Sequence, residues 1–213
     1  MPTCPSQTSP GEWSLRPTPQ IVAEALDRLL TVPALVLQGL GPADVAQAIA
    51  ATRGLNYRQA RPDVGTGENT VRQDFSICRD VPLDNSLHHL GDALSGLFDT
   101  ALGLLDTPPV EHADFNDLVV QQYAAGSQGI SPHRDHVRYT GLVVLVILVD
   151  GGRFGVCAER SGADATTLKA GVGDLLVMRG AGFAGFRERP FHFLDAVTTP
   201  RTSVGYRHES RAK

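Results

Sequence analysis

Apolar positions in the first half of the chain recur with the 3.6-residue period of helices. Ile21, Val22, Ala25, Leu26, Leu29 and Leu30 mark one helix, and Pro42 opens a second that runs to about Arg53. Between Leu83 and Leu105 a longer stripe of Leu87, Leu90, Leu94, Leu97, Phe98, Ala101, Leu102 and Leu105 predicts the strongest helix, with Asp84 as N-cap and Pro108-Pro109 as its stop. After residue 115 the pattern shortens to runs rich in Val, Leu and aromatics, separated by glycine-bearing turns. Residues 117–123, 141–149, 153–159, 173–178 and 201–207 read as strands. Helices followed by strands predict an α+β fold whose second half is a sandwich or barrel.

The stretches without a period divide the chain further. Residues 1–19 hold five prolines and read as a flexible N-terminal arm ahead of a single domain over 20–213, with a helical cover at 20–105 and a β core at 115–209. Residues 53–79 are polar and poorly periodic, which predicts a long surface loop or ragged hairpin of the kind that forms a lid.

Composition narrows the classes. With 42% hydrophobic and 20% charged residues among 213, the chain can bury a core that needs no metal or disulfide, and disorder is excluded. The longest apolar run, Leu142 to Val149, is too short to span a membrane. Three widely spaced cysteines, Cys4, Cys78 and Cys157, read as reduced thiols, and the start of the chain lacks the features of a secretion signal, so a cytoplasmic location is expected. A net charge of −4 gives no support to generic nucleic-acid binding.

Candidate chemistry begins with histidine and carboxylate at i and i+2, which aim at one point when they flank a strand. Two such pairs occur, His112-x-Asp114 and His133-x-Asp135. The second follows a glycine-bearing loop and precedes the apolar strand, at the rim of the sheet. The first lies in a polar link, where capping or solvation is expected. A third ligand belongs on a later strand, with His192, between Phe191 and Phe193, and His208 as candidates. Independently, period two puts Arg201, Ser203, Gly205 and Arg207 on one face of their strand, and Val119, Gln121 and Tyr123 on one face of theirs. Two guanidinium groups on a buried face need an anion, and a carboxylate suits their planar donors.

Taken in order, His133-x-Asp135, His192 and Arg201-x-Ser203 resemble the Fe(II)- and 2-oxoglutarate-dependent oxygenases over about residues 115–209. Gln121-x-Tyr123-Ala-x-Gly126, Leu168–Val177 and Arg201-x-Ser-x-x-x-Arg207 are similar to segments of the AlkB-like branch. The resemblance implies a double-stranded β-helix, or jelly-roll, core beneath N-terminal covering helices. It implies that His133, Asp135 and His192 hold Fe(II), that Arg201 and Tyr123 take the distal carboxylate of 2-oxoglutarate with Ser203 nearby, and that Arg207 and Gln121 lie nearer the iron. Decarboxylation to succinate and CO2 with O2 would then drive oxidation of a C–H bond. Because halogenases of this type lack the carboxylate that Asp135 supplies, hydroxylation or oxidative demethylation is expected. Gln121 and Ser203 stand where the nucleic-acid demethylases carry asparagines, and the gap from His192 to Arg201 is shorter than theirs.

The lid at 53–79 then offers Tyr57, Arg58, Arg72 and Asp74 as substrate contacts, and Arg153–Ser161 as a second wall of the pocket. Its aromatics are too sparse to stack a flipped base, so a small organic substrate is the first expectation. Demethylation of alkylated DNA or RNA bases is the second, and a non-catalytic cupin-like binding protein the third.

Overall fold

The structure, a computed structural model, describes residues 12–211. Three α-helices, two short 3-10 helices and thirteen strands are present among them. The covering half contains α1 (Pro19–Arg28), β1 (Ala34–Gln38), α2 (Pro42–Thr52), β2 (Arg58–Gln59), β3 (Asp63–Val64), β4 (Val71–Asp74), β5 (Ser76–Cys78) and α3 (Ser86–Leu102). The second half contains β6 (Asp117–Tyr123), β7 (Gly129–His133), β8 (Tyr139–Val149), β9 (Arg153–Cys157), β10 (Thr166–Thr167), β11 (Asp174–Arg179), β12 (Phe191–Asp195) and β13 (Arg201–Glu209).

All strand pairs are antiparallel and form two facing sheets, ordered β1-β11-β8-β13-β6-β5-β2 and β10-β9-β12-β7-β4-β3. This is a strand-rich α+β double-stranded β-helix. The central strands of the larger sheet serve two cores by alternation. Leu118 and Val120 of β6, Leu142, Val144, Val146 and Leu148 of β8, and Val204 and Tyr206 of β13 pack under the helices. Val119 and Tyr123, Val143, Leu176 and Met178 face inward against Ile130, Phe154, Val156 and Leu194 of the smaller sheet. Because β8 is buried on both faces, it reads as an unbroken apolar run.

The helices follow their apolar stripes. Thr18 caps α1 by accepting from the Ile21 N–H at 3.4 Å, Pro19 stands in its first turn, and Val22, Ala25 and Leu26 turn inward. On α3 the fully buried Leu87, Leu90, Leu94 and Phe98 each contribute ~1.5–3 kcal/mol by leaving water. Gly91 lets this helix lie against β13, since a Cβ there would sit 3.1 Å from the Tyr206 ring.

Several expectations change. The N-cap of α3 is Asn85 and not Asp84. Its side-chain oxygen accepts from the Leu87 N–H at 3.0 Å while its amide donates to the Ala51 carbonyl at 2.9 Å, and a carboxylate cannot do the second. Helix α3 also ends at Leu102, short of Leu105. Residues 12–18 are not a free arm, because Trp13 and Leu15 pack on the helical core and Leu15 bridges to Leu40; the remainder of the expected arm lies outside the described residues. The cover is not wholly helical. β1 edges the larger sheet, and the segment at 53–79 folds into short strands that extend both sheets, β5 pairing with β6 and β4 with β7. Cys78 and Cys157 are buried and unpaired, with burial pushing both thiols up, and Cys4 lies outside the described residues. No helix among the described residues is long and apolar enough to cross a membrane.

Candidate metal centre

His133 ends β7, and His192 is its direct partner across the ladder on β12. The rings stand 4.2 Å apart at their centroids. Two residues beyond His133 the chain turns and returns Asp135, so that one ligand atom from each of His133, Asp135 and His192 lies within 4.8 Å of the others. Gly129 makes the ladder possible: its φ is +75°, and a Cβ there would collide with the Leu194 carbonyl oxygen on β12.

Both imidazoles are oriented in the same way. Nδ1 of His133 faces the Ser131 carbonyl at 3.0 Å, and Nδ1 of His192 faces the Pro190 carbonyl at 3.3 Å. With Nδ1–H donating to a carbonyl, each ring presents the Nε2 lone pair. Burial, helped by His192, drives the pKa of His133 down to about 3 against the pull of Asp135, so this ring is neutral near pH 7. Burial would raise the carboxyl of Asp135, but His192, Arg207, His133 and Arg189 outweigh it and hold it below the usual carboxylate range. Two imidazoles presenting Nε2 and one carboxylate converging from one side are the donor set of non-heme Fe(II) sites with open positions, and the residues fit such an ion.

Arginines brace this turn. Arg189 donates to the Asp135 carbonyl, and Arg160 to the Pro132 carbonyl at 3.3 Å. The guanidinium of Arg134 lies 4.1 Å above the Phe191 ring. Arg207 pairs with Asp117 at 2.7 Å, approaches Asp135 at 3.9 Å and stacks on Tyr139 at 4.1 Å.

A narrow cavity of about 60 Å³ runs inward from the triad and is lined by Gln121, Tyr123, Arg201, Ser203 and Arg207. On the β13–β6 ladder Arg201 stands opposite Tyr123, Ser203 opposite Gln121 and Arg207 opposite Asp117, so Arg201 and Arg207 occupy its two ends. Arg201 is 3% exposed and bonds Asp150 at 2.8 Å. Burial raises the Tyr123 phenol well above its ordinary range despite the nearby Arg201, which keeps its O–H available as a donor.

A larger chamber of about 560 Å³ opens outward, sharing Val119, Gln121, Ile130, His133, Asp135 and Arg207 with the inner cavity. Of the four lid residues expected to contact substrate, the structure brings Arg58 alone to it. Tyr57 turns into the helical core and donates to the Thr52 carbonyl at 3.1 Å. Arg72 and Asp74 face a separate groove, where Asp74 accepts from the Gln128 N–H at 3.0 Å and ties the lid to the β6–β7 turn. Arg153 pairs with Asp195 in that groove, so the segment Arg153–Ser161 forms no second wall of the chamber, although its Phe154 lines the inner cavity. Of the other histidine candidates, His112 is 73% exposed beside Glu111, and His208 faces the Asp114 carbonyl at 3.0 Å; neither approaches the triad.

Sequence reasoning missed Asp150, Asp117, Arg160 and Arg189. Carboxylates closing the apolar strand β8 and opening β6 were the available signal for the first two.

No family model matches the chain, and no curated protein matches it significantly. Solved structures do. A 2OG-Fe(II) oxygenase family oxidoreductase from Burkholderia pseudomallei aligns over 90% of this chain and 94% of its own, with a TM-score of 0.64 and 18% identity. A prolyl-4-hydroxylase from Pseudomonas putida aligns over 88% and 99%, at TM-score 0.61 and 18% identity. A prolyl hydroxylase from Trichoplax adhaerens, solved with a hypoxia inducible factor peptide, aligns over 91% of each chain, at 0.60 and 13%. The chain has the fold of the 2-oxoglutarate-dependent iron oxygenases. The double-stranded β-helix expected from the sequence is therefore observed, while these neighbours do not single out the AlkB-like branch.

Proposed function

We propose that the protein is a 2-oxoglutarate-dependent non-heme iron dioxygenase that hydroxylates or oxidatively demethylates a small organic substrate. The observation that carries this reading is the convergence of His133, Asp135 and His192 at the junction of a narrow arginine-ended cavity and a wider chamber. His133 and His192 would hold Fe(II) through Nε2 and Asp135 through its carboxylate. The bound metal would supply O2 activation, one oxygen atom entering the substrate C–H bond and the other the succinate formed as 2-oxoglutarate loses CO2.

The chain's own residues provide binding and orientation. Arg201 offers donors to the distal carboxylate of the co-substrate, with Tyr123 and Ser203 completing the polar end and Gln121 and Arg207 lying toward the triad. Arg207, already shared between Asp117 and Asp135, keeps the ligand carboxylate ionised and fixed. Inward-facing Val143, Leu145, Phe154 and Met178 limit water around the inner cavity.

The finer AlkB-like placement rests on the Gln121-x-Tyr123 and Arg201-x-Ser203 segments. Base demethylation, its associated activity, is disfavoured by how the chamber is built. The two aromatics that line it are Phe75, packed on Tyr123 at 5.0 Å, and Tyr139, covered by Arg207, so neither is free to stack a base.

Anaerobic addition of Fe(II) and then 2-oxoglutarate tests the proposal. A weak visible charge-transfer band, followed by succinate on admission of air, is expected. No band and no succinate would return the protein to the non-catalytic binding class.

A further inference from the structure

Six guanidinium groups line the outer chamber, from Arg58, Arg61, Arg79, Arg134, Arg138 and Arg207, while its one carboxylate is that of Asp135. Some are already matched. Arg207 pairs with Asp117 at 2.7 Å, Arg79 shares that carboxylate at 3.8 Å, and Arg138 pairs with Glu209 at 2.6 Å. Arg134 is held over Phe191. Arg58 and Arg61 have no ion-pair partner among the described residues, yet both face this chamber. Their backbone is fixed: Arg58 lies opposite Ile77 in the β2–β5 pair, and the Arg61 carbonyl accepts from Gln73 Nε2 at 2.8 Å. Like charges gathered in a cleft without counter-charge focus a positive potential and concentrate anions.

Much of the remaining lining is apolar, with the polar Gln73, Gln121, His133 and His136 among it. Val71, Phe75 and Ile77 form part of the wall, and Val119 and Ile130 continue it into the inner cavity beside the triad, which neither Arg58 nor Arg61 reaches. The chamber thus carries its two unpaired cations on the lid, with Val119 and Ile130 as apolar wall beside the candidate metal centre. Its volume, about 560 Å³, falls among small-molecule sites.

We infer that the substrate is a small organic acid with an apolar body, its anionic group held by Arg58 and Arg61 and its hydrocarbon portion directed along Val119 and Ile130 to the triad. This deepens the proposed oxygenase reading and rests on it. The chamber would bring an unactivated C–H bond to the metal while the charged group stays at the lid.

The test uses the full chain without metal or co-substrate, titrated by fluorescence with anilinonaphthalene sulfonate and with its uncharged relative phenylnaphthylamine. The sulfonate should bind at one site about tenfold or more tighter than the neutral probe, and Arg58→Ala/Arg61→Ala should erase that preference while leaving the neutral probe's affinity unchanged. Both arginines are exposed, so the variant should keep the parent's thermal midpoint and near-UV spectrum. Equal binding of the two probes, or an unaltered preference in the variant, would overturn the inference. So would tight, steeply salt-dependent binding of a short oligothymidylate through the same arginines, which would assign the chamber to nucleic acid. The charge-transfer band is recorded on the same preparations. Its absence in the parent defeats the oxygenase reading, whereas a band without probe discrimination defeats the organic-acid reading alone.

Discussion

Arg201 and Asp150 form an ion pair of 2.8 Å in which the guanidinium is 3% exposed and the carboxylate side chain 39% exposed. The pair joins the start of β13 to the residue just after β8, and it puts a cation at the closed end of the inner cavity. Burial lowers the Arg201 pKa, Asp150 and Tyr123 opposing it, so Asp150 compensates a charge that would otherwise be isolated. One carboxylate cannot occupy all five donors of a guanidinium, and the remainder are available to a second anion.

That arrangement makes Arg201 the first residue to change. Arg201→Ala should weaken 2-oxoglutarate binding about a hundredfold, roughly 2.8 kcal/mol, in an anaerobic calorimetric titration of the Fe(II)-loaded protein. Arg201→Lys should recover part of the loss, because an ammonium keeps the charge without the planar fork. An unchanged affinity would move the anchor to Arg207.

Asp150 gives a separate prediction of opposite character. Asp150→Asn leaves Arg201 buried without its counter-ion and should destabilise the protein by about 1–2 kcal/mol, moderated by the exposure of position 150. A co-substrate carboxylate supplies the missing charge. Saturating 2-oxoglutarate should therefore raise the thermal midpoint more in Asp150→Asn than in the parent. An equal or smaller rise would show that the two anions do not share Arg201.

Metal removal separates site from fold. The two cores are built from apolar side chains, so chelation should leave the far-UV spectrum and cooperative unfolding intact. Added Fe(II) or Mn(II) should raise the thermal midpoint, and His133→Ala or Asp135→Ala should abolish that rise. Collapse of secondary structure on chelation would mean that the metal is structural.

What could be read beforehand follows from periodicity. Helix α3 and strands β6, β8, β11 and β13 carry long, regular apolar patterns, and the arginine face of β13 follows from period two alone. Strand β7 does not, since Gly129-Ile-Ser-Pro-His133 has the residues of a turn and becomes a strand through pairing with β12 and β4. β12 is a five-residue run behind Pro190, too short to distinguish by pattern. Lid strands β4 and β5 owe their place in the sheets to partners more than forty residues away, such as Ser76 opposite Gln122, and β2 and β3 pair onto them. Tyr57, Arg72 and Asp74 went astray for that reason: on a two-sheet lid, neighbouring residues face different compartments. Arg61, Arg79 and the pair Arg134 and Arg138 come to one chamber from three separate connections, a convergence that no local spacing encodes.

Two glycines test how the ladder positions the metal. Gly91→Ala would place a methyl 3.1 Å from the Tyr206 ring and should cost about 1–3 kcal/mol by overpacking, with metal affinity unchanged because α3 touches no ligand. Gly129→Ala combines a φ of +75° with a collision against the Leu194 carbonyl, on the strands that set His133 opposite His192. Relief requires β7 to move from β12, which separates the imidazoles. At matched loss of stability in urea, Gly129→Ala should therefore lose at least tenfold in Mn(II) affinity while Gly91→Ala loses none. Equal metal affinity in the two variants would mean that the β7–β12 register does not control the distance between the histidines.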